Sequence, residues 1–260
     1  MESFAGQYYY QSDGTSDGVC GLFLIGLSNQ LVEIDFTEFQ VDCASGGLLS
    51  IVDGWELNGQ VFPGDIDHED PLDERFRTFC GAHKPTKIYL SSQNVALIQF
   101  RLPRAGDGFR VTIRFPRNPQ PCNVVSLYQD GYYTLKNYGH KKNCSVSIIY
   151  PEKIRLVNVD VGVTVSLPEV AFDMETGLTG KCGTNDYVEL MDGNGLDTGR
   201  MKPRLIFCGA DSVTHRDEMI LGCQHSVVRL VSSGRFHNSV TFAYKIPSDE
   251  EMASISPDHC

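Results

Sequence analysis

Residues Lys181 to Gly195 read KCGTNDYVELMDGNG, and residues Cys43 to Asn58 read CASGGLLSIVDGWELN. Each stretch runs from a cysteine through a short apolar segment to Asp-Gly. The interval from cysteine to aspartate is ten residues both times, Cys43 to Asp53 and Cys182 to Asp192. A spacing that recurs so far apart in a chain marks an internal repeat. Working outward, Phe79-Cys80-Gly81 matches Phe207-Cys208-Gly209, and Val111-Thr112-Ile113 matches Val240-Thr241-Phe242. Gly6-Gln7-Tyr8-Tyr9 followed by Cys20 matches Gly131-Tyr132-Tyr133-Thr134 followed by Cys144. The period is about 125 residues, too long for a solenoid unit, so the reading is a duplicated domain. The divide falls near RFPRNPQPC, Arg114 to Cys122, whose three prolines suit a linker or a stiff connection. The expected domains are 1–117 and 118–246, with an acidic tail over 247–260 tethered by Cys260.

Period-two alternation dominates both halves. Val32, Ile34 and Phe36 alternate with polar residues, as do Phe109, Val111, Ile113 and Phe115. The second half repeats the pattern at Val157, Val159 and Val161, and at Val240, Phe242, Tyr244 and Ile246. Such runs, bounded by Gly, Pro, Asn and Asp, predict half-buried antiparallel strands. No amphipathic helix stands out, so the expected class is all-β.

Lys plus Arg total 22 against 33 Asp plus Glu, a formal charge of −11. That balance argues against nucleic acid and anionic membrane surfaces, and it permits a basic partner. No window approaches the 18 or so apolar residues of a membrane span. Nine cysteines are spread along the chain without a CxxC pair or a His-x3-His companion, which points away from zinc and toward an oxidising, extracellular setting. The sequon Asn143-Cys144-Ser145 is a candidate glycosylation site. Yet the start, MESFAGQYYYQSDG, has no basic n-region of a signal peptide. Cys122 lies nine residues before Gly131, and nine residues before Gly6 falls ahead of Met1. The expectation is therefore an amino-terminal truncation, with a cysteine about three positions upstream of Met1 and Cys20 left unpaired in this chain. Register then pairs Cys43 with Cys80, Cys122 with Cys144 and Cys182 with Cys208. Cys223 and Cys260 remain for each other, the competing arrangement being Cys20 with Cys260 and a free Cys223. Loops of this size stabilise by roughly 3 to 4 kcal/mol each in the chain-entropy account.

The order of cysteines, the aromatic strand pair, Cys…Asp-Gly…Phe-Cys-Gly and a closing Val-Thr-Phe strand resembles the CUB domain. That resemblance implies tandem antiparallel jelly-roll β-sandwiches. A more specific likeness runs through QVDCASGGLLSIVDGW, SSQNVALIQFR, PCNVVS, NCSVSIIYP, DYVELMDGNGLD and VVRLVSSG. These segments resemble the corticotropin-releasing factor-binding protein family, whose consecutive disulfides and extra terminal cysteine pair also fit. The resemblance implies a secreted protein that sequesters a corticotropin-releasing-factor-like peptide hormone (diuretic-hormone-like in insects) and limits its access to receptors. The other reading is a CUB-domain adhesion or scaffold module of an extracellular complex.

Several residues invite a functional role. Many CUB domains hold calcium on three acidic positions. Here Asp186 occupies the middle one and Glu175 stands near the first, but the late turn VSSGRF has no carboxylate and the first copy has Gly47 in the middle. Hard calcium needs six or more oxygens, so no metal and no cofactor is expected. The acidic run Asp65 to Glu74 reads as a solvated loop, or as a steering patch for a basic peptide. Trp55 is either a binding anchor or a locally packed ring. Tyr8, Tyr9 and Tyr10 lie on one strand, so one ring points off the core, free for apolar contact with an amphipathic ligand or for edge packing. Asp53-Gly54 and Asp192-Gly193 read as turn chemistry. GxSxG, HExxH and P-loop motifs are missing, and Asp211, Ser212 and His215 are close only in sequence, so no enzyme is expected.

Overall fold

The computed structural model describes residues 1–15, 18–162, 185–211, 218–255 and 260. Contacts divide the chain into two units: Met1–Val61 with Glu69–Pro121, and Phe62–His68 with Cys122–Cys260. Phe62–His68 thus leaves the sequence-expected first domain for the second unit, the boundary falls after Pro121, and the acidic tail belongs to the second unit.

The first unit begins with β1 (Gly6–Gln11), β2 (Cys20–Ile25), β3 (Glu33–Gln40) and β4 (Leu48–Asp53). A short hairpin follows, β5 (Trp55–Leu57) and β6 (Gln60–Phe62). After the single turn α1 (Leu72–Arg75) come β7 (Phe76–Phe79), β8 (Tyr89–Leu90), β9 (Val95–Arg101) and β10 (Gly108–Arg114). One sheet runs β1-β10-β3-β8 and the other β2-β9-β4-β7. The alternating apolar residues fill the space between them: Ile34, Phe36, Phe109 and Val111 from one sheet, Leu49, Ile51, Ile98 and Phe100 from the other. Phe100 and Phe109 meet edge to face with ring centroids 5.0 Å apart. That geometry suits the aromatic quadrupole.

The second unit carries β11 (Asn123–Ser126), β12 (Asp130–Lys136), β13 (Asn143–Ile148) and β14 (Glu152–Val161). It continues with β15 (Tyr187–Gly193), β16 (Lys202–Phe207), β17 (Gly209–Asp211), β18 (Met219–Leu221), β19 (His225–Val231) and β20 (Ser239–Lys245). Its sheets run β11-β13-β19-β15-β16 and β12-β20-β14-β17, with β18 also on β14. Val146, Val188, Leu190 and Leu230 face Ile154, Val159, Val240 and Phe242 across the core. Each unit is therefore a two-sheet all-β sandwich.

Two details correct the sequence reading. The expected all-antiparallel pairing fails at β11 and β13, which run parallel. The chain crosses to the other sheet as β12 between them and returns in its original direction, so neighbours in one sheet need no hairpin. The closing strands also match differently. Gly6 pairs with Ile113 and Tyr8 with Val111, while Gly131 pairs with Tyr244 and Tyr133 with Phe242. A β-bulge skips Thr37 beside Val111, and an equivalent one skips Val157 beside Phe242. Val111 is thus equivalent to Phe242, two residues on from the match of letters. A slip of two keeps every side chain on its face, which is why alternation could not detect it.

The Asp-Gly pair of the opening motif does more than turn the chain. Asp53 Oδ1 accepts from the backbone N–H of Ser92 at 2.9 Å, and Asp192 Oδ2 accepts from that of Gly222 at 3.0 Å. In both copies the carboxylate ties the end of β4 or β15 to the loop before β9 or β19. The glycines differ. Gly54 sits at φ 110°, whereas Gly193 is not in the left-handed region and instead sits close to Met201, whose Cγ would lie 2.9 Å from an added Cβ and have to shift.

Helices are minor but present. α2 (Asp249–Ala253) starts on a capping box, Ser248 accepting from the Glu251 N–H while the Glu251 carboxylate accepts from the Ser248 N–H. The S-x-x-E spacing of Ser248 to Glu251 is the sequence signature of this box. Disulfides join Cys43 to Cys80, Cys122 to Cys144 and Cys223 to Cys260. Cys208 is disulfide-bonded, and Cys182 lies outside the described residues. Cys20 is a half-buried free thiol.

Candidate functional site

The tyrosines of β1 divide between two faces, as a pleated strand requires. Tyr8 and Tyr10 lean onto the core of the first unit. Tyr8 donates its hydroxyl to Phe4 O at 2.7 Å, and Tyr10 lies 4.6 Å from the Phe100 ring. Burial, followed by the neighbouring Glu2 charge, raises the Tyr8 phenol above its ordinary value. Tyr9 points the other way and is 74 % exposed. The Arg110 guanidinium stands 5.6 Å from its ring centre and pairs with Glu38 at 3.2 Å. In the second unit Tyr132 is the outward ring, and Tyr133 packs on the core.

Trp55 is a locally packed ring. It is 5 % exposed, its indole N–H donates to Leu24 O at 3.0 Å, and Phe23 meets it edge-on at 5.6 Å. Its polar handle and its faces are both occupied inside the first unit, as a large ring beside a tight turn favours.

The acidic run is not uniformly solvated. Asp67 is buried and forms a double hydrogen bond to Arg229, Oδ1 lying 2.9 Å from Nε and 2.7 Å from Nη2. Thr198 Oγ1 donates to Asp67 Oδ2 at 2.8 Å, and Arg229 Nη1 reaches Glu189 Oε2 at 2.7 Å. Asn123 donates to Asp67 O at 2.7 Å and Asn143 donates to Ile66 O at 2.9 Å. These bonds are what place Phe62–His68 in the second unit. A run of carboxylates in sequence gives no hint that one of them has a buried arginine more than 160 residues away. Asn143 itself is half-buried, Cys144 is bridged, and Ser145 donates its hydroxyl to Asn123 Oδ1 at 2.9 Å.

Asp186, the middle acidic position of the second copy, is fully buried and held by neutral donors. Ser233 N–H and the Asn238 amide reach Oδ1 at 2.9 and 2.6 Å, and the Ser233 hydroxyl reaches Oδ2 at 2.6 Å. Hydroxyl and amide donors thus reach both oxygens of this buried carboxylate. Among the described residues no three His, Cys, Asp or Glu side chains converge into a metal site. Glu175, Ser212 and His215 lie outside the described residues. Among those residues no helix is long and apolar enough to cross a membrane.

Comparison with known proteins places this geometry in a family. The corticotropin-releasing factor binding protein N-terminal domain matches residues 1–117, and the C-terminal domain of the same name matches residues 124–253. The corticotropin-releasing factor-binding protein of Xenopus laevis is 38 % identical over 94 % of this chain and 74 % of its own length. That of Rattus norvegicus is 34 % identical over 100 % of this chain and 80 % of its own, and that of Homo sapiens 36 % over 94 % and 74 %. Among solved structures, the CUB1-EGF-CUB2 domain of human MASP-1/3 is similar over 93 % of this chain and 99 % of that one, at 11 % identity and a TM-score of 0.31. Matched in both halves and related at this level over nearly its whole length, the chain belongs to the corticotropin-releasing factor-binding protein family.

Proposed function

We propose that this chain is a secreted binding protein that takes up a corticotropin-releasing-factor-like peptide hormone outside cells and limits its access to receptors, leaving the peptide chemically unchanged. Membership of the family in both halves carries the reading. The disulfides support an extracellular setting, since such bonds persist in oxidising compartments. A formal charge of −11 favours a neutral or basic ligand. Candidate contacts are the rings of Tyr8, Tyr9 and Tyr10, with Tyr9 the one turned outward. Asn143 is the proposed glycan acceptor. A glycosylated amide keeps one N–H, which serves the bond to Ile66 O.

The test is titration of the full chain with fluorescently labelled corticotropin-releasing factor, followed by mass analysis of the recovered peptide. Saturable binding with intact peptide is the expected result. A chain that ignores the hormone at micromolar concentration overturns the reading and leaves the scaffold alternative. Recovery of cleaved peptide overturns the non-catalytic part.

A further inference from the structure

We infer that β1 is a strand-addition edge, on which an extended, neutral or basic segment of a peptide ligand completes the sheet β1-β10-β3-β8. The inference rests on the peptide-binding reading above and names how the peptide is held. Among the described residues β1 is the outer strand of its sheet and pairs with β10 alone. Ser12 N–H donates to Asp107 O at 2.8 Å, in register with the pairs Tyr10–Phe109, Tyr8–Val111 and Gly6–Ile113. In an antiparallel ladder the bonded pairs alternate, so Gly6, Tyr8 and Tyr10 direct their N–H and C=O groups at β10. Gln7, Tyr9 and Gln11 direct theirs outward, three donors and three acceptors over about 14 Å. All three residues are exposed.

A free edge of this kind is a template for another strand, and proteins normally blunt it with charge, proline, shortness or cover. The other described edges show those devices. β16 carries Lys202, Pro203 and Arg204, and β12 is bounded by Asp130 and Lys136. β8 is two residues long, β5, β6, β17 and β18 three each, and β7 four with Arg77. β11 is buried. The outer side of β2 is engaged by Glu2, which donates to Phe23 O at 2.8 Å and accepts from Ile25 N–H at 3.0 Å. β1, GQYYYQ, is six residues long with no charge and no proline.

The occupant follows from charge and area. Residues 1–15 contain no Lys or Arg, and Glu2 and Asp13 flank the strand. Hydrogen bonds from Thr15 hold the Asp13 carboxyl below its usual range, so the edge stays negative. The neighbouring Arg110 is already paired with Glu38. A second copy brings another −11 of charge to this edge. A six-residue strand also buries on the order of a few hundred Å² a side, short of the roughly 800 Å² per partner of a stable dimer. An extended peptide meets neither objection, since main-chain bonds supply its affinity and alternate side chains its specificity, with the exposed Tyr9 ring beside it.

Amide hydrogen exchange on the full chain, with and without corticotropin-releasing factor, tests the inference. Gln7, Tyr9 and Gln11 are expected to exchange rapidly alone and at least tenfold more slowly with the peptide bound. Gln7→Pro removes one outward donor without touching a bond to β10, and it is expected to weaken binding at least tenfold while Gln7→Ala leaves it unchanged. Unchanged circular dichroism of Gln7→Pro makes that comparison valid, and the exchange result stands without the variant. Binding with no added protection at the three amides overturns this inference alone. A wild-type chain that takes up no hormone overturns both it and the reading beneath it.

Discussion

Replacing Arg229 with methionine is expected to lower the stability of the second unit by about 3 to 5 kcal/mol, because the substitution strips the counter-charge from two carboxylates at once. Asp67 and Glu189 are both buried, and both take charged hydrogen bonds from this one guanidinium. Desolvated charge without a partner is the costly state, far more than the pair is worth against a dry, apolar replacement. The triple variant Asp67→Leu, Glu189→Met, Arg229→Met is therefore expected to recover most of the loss, leaving Thr198 to find water. Urea unfolding at unchanged m-value measures both. A single variant within 1 kcal/mol of wild type contradicts the argument.

The second large effect is set by pH. Glu152 lies on the core side of β14, fully buried, and among the described residues neither carboxyl oxygen has a hydrogen-bond partner. Burial, then the nearby Asp130 charge, pushes its pKa up to about 8 from an ordinary 4.5. The folded chain therefore holds a proton that the unfolded chain releases. The stability this contributes is complete below about pH 4.5 and disappears as pH rises through about 8. Glu152→Gln does not titrate, so its stability relative to wild type should climb across that window by up to about 5 kcal/mol, at 1.36 kcal/mol per unit. Thermal melts at pH 4.5 and pH 8.5 check the sign. A constant difference between the two proteins refutes it.

The duplicated all-β plan was legible because it depends on local chemistry. Cysteine spacing, Asp-Gly and alternation each act over a few residues, and a repeat shows them twice. The partners of those residues were not legible. Asp53 and Asp192 looked like turn formers, but each reaches an amide some thirty or more residues away. Trp55 could not be distinguished from an anchor until Leu24 O and Phe23 were seen around it. Among the three tyrosines, alternation indicated that one ring faces outward, while only the ladder with β10 identifies it as Tyr9. The edge position of β1 follows from strand order, which pattern alone does not specify.

The bridge from Cys223 to Cys260 makes the last stretch of the chain a covalent ring. A protease that cuts anywhere inside that ring separates nothing. The capped turn α2 and the strands β19 and β20 remain on one connected molecule, and the nick stays hidden until a thiol opens the loop. The stretch from Cys223 to Cys260 therefore survives a first scission as one covalently joined piece.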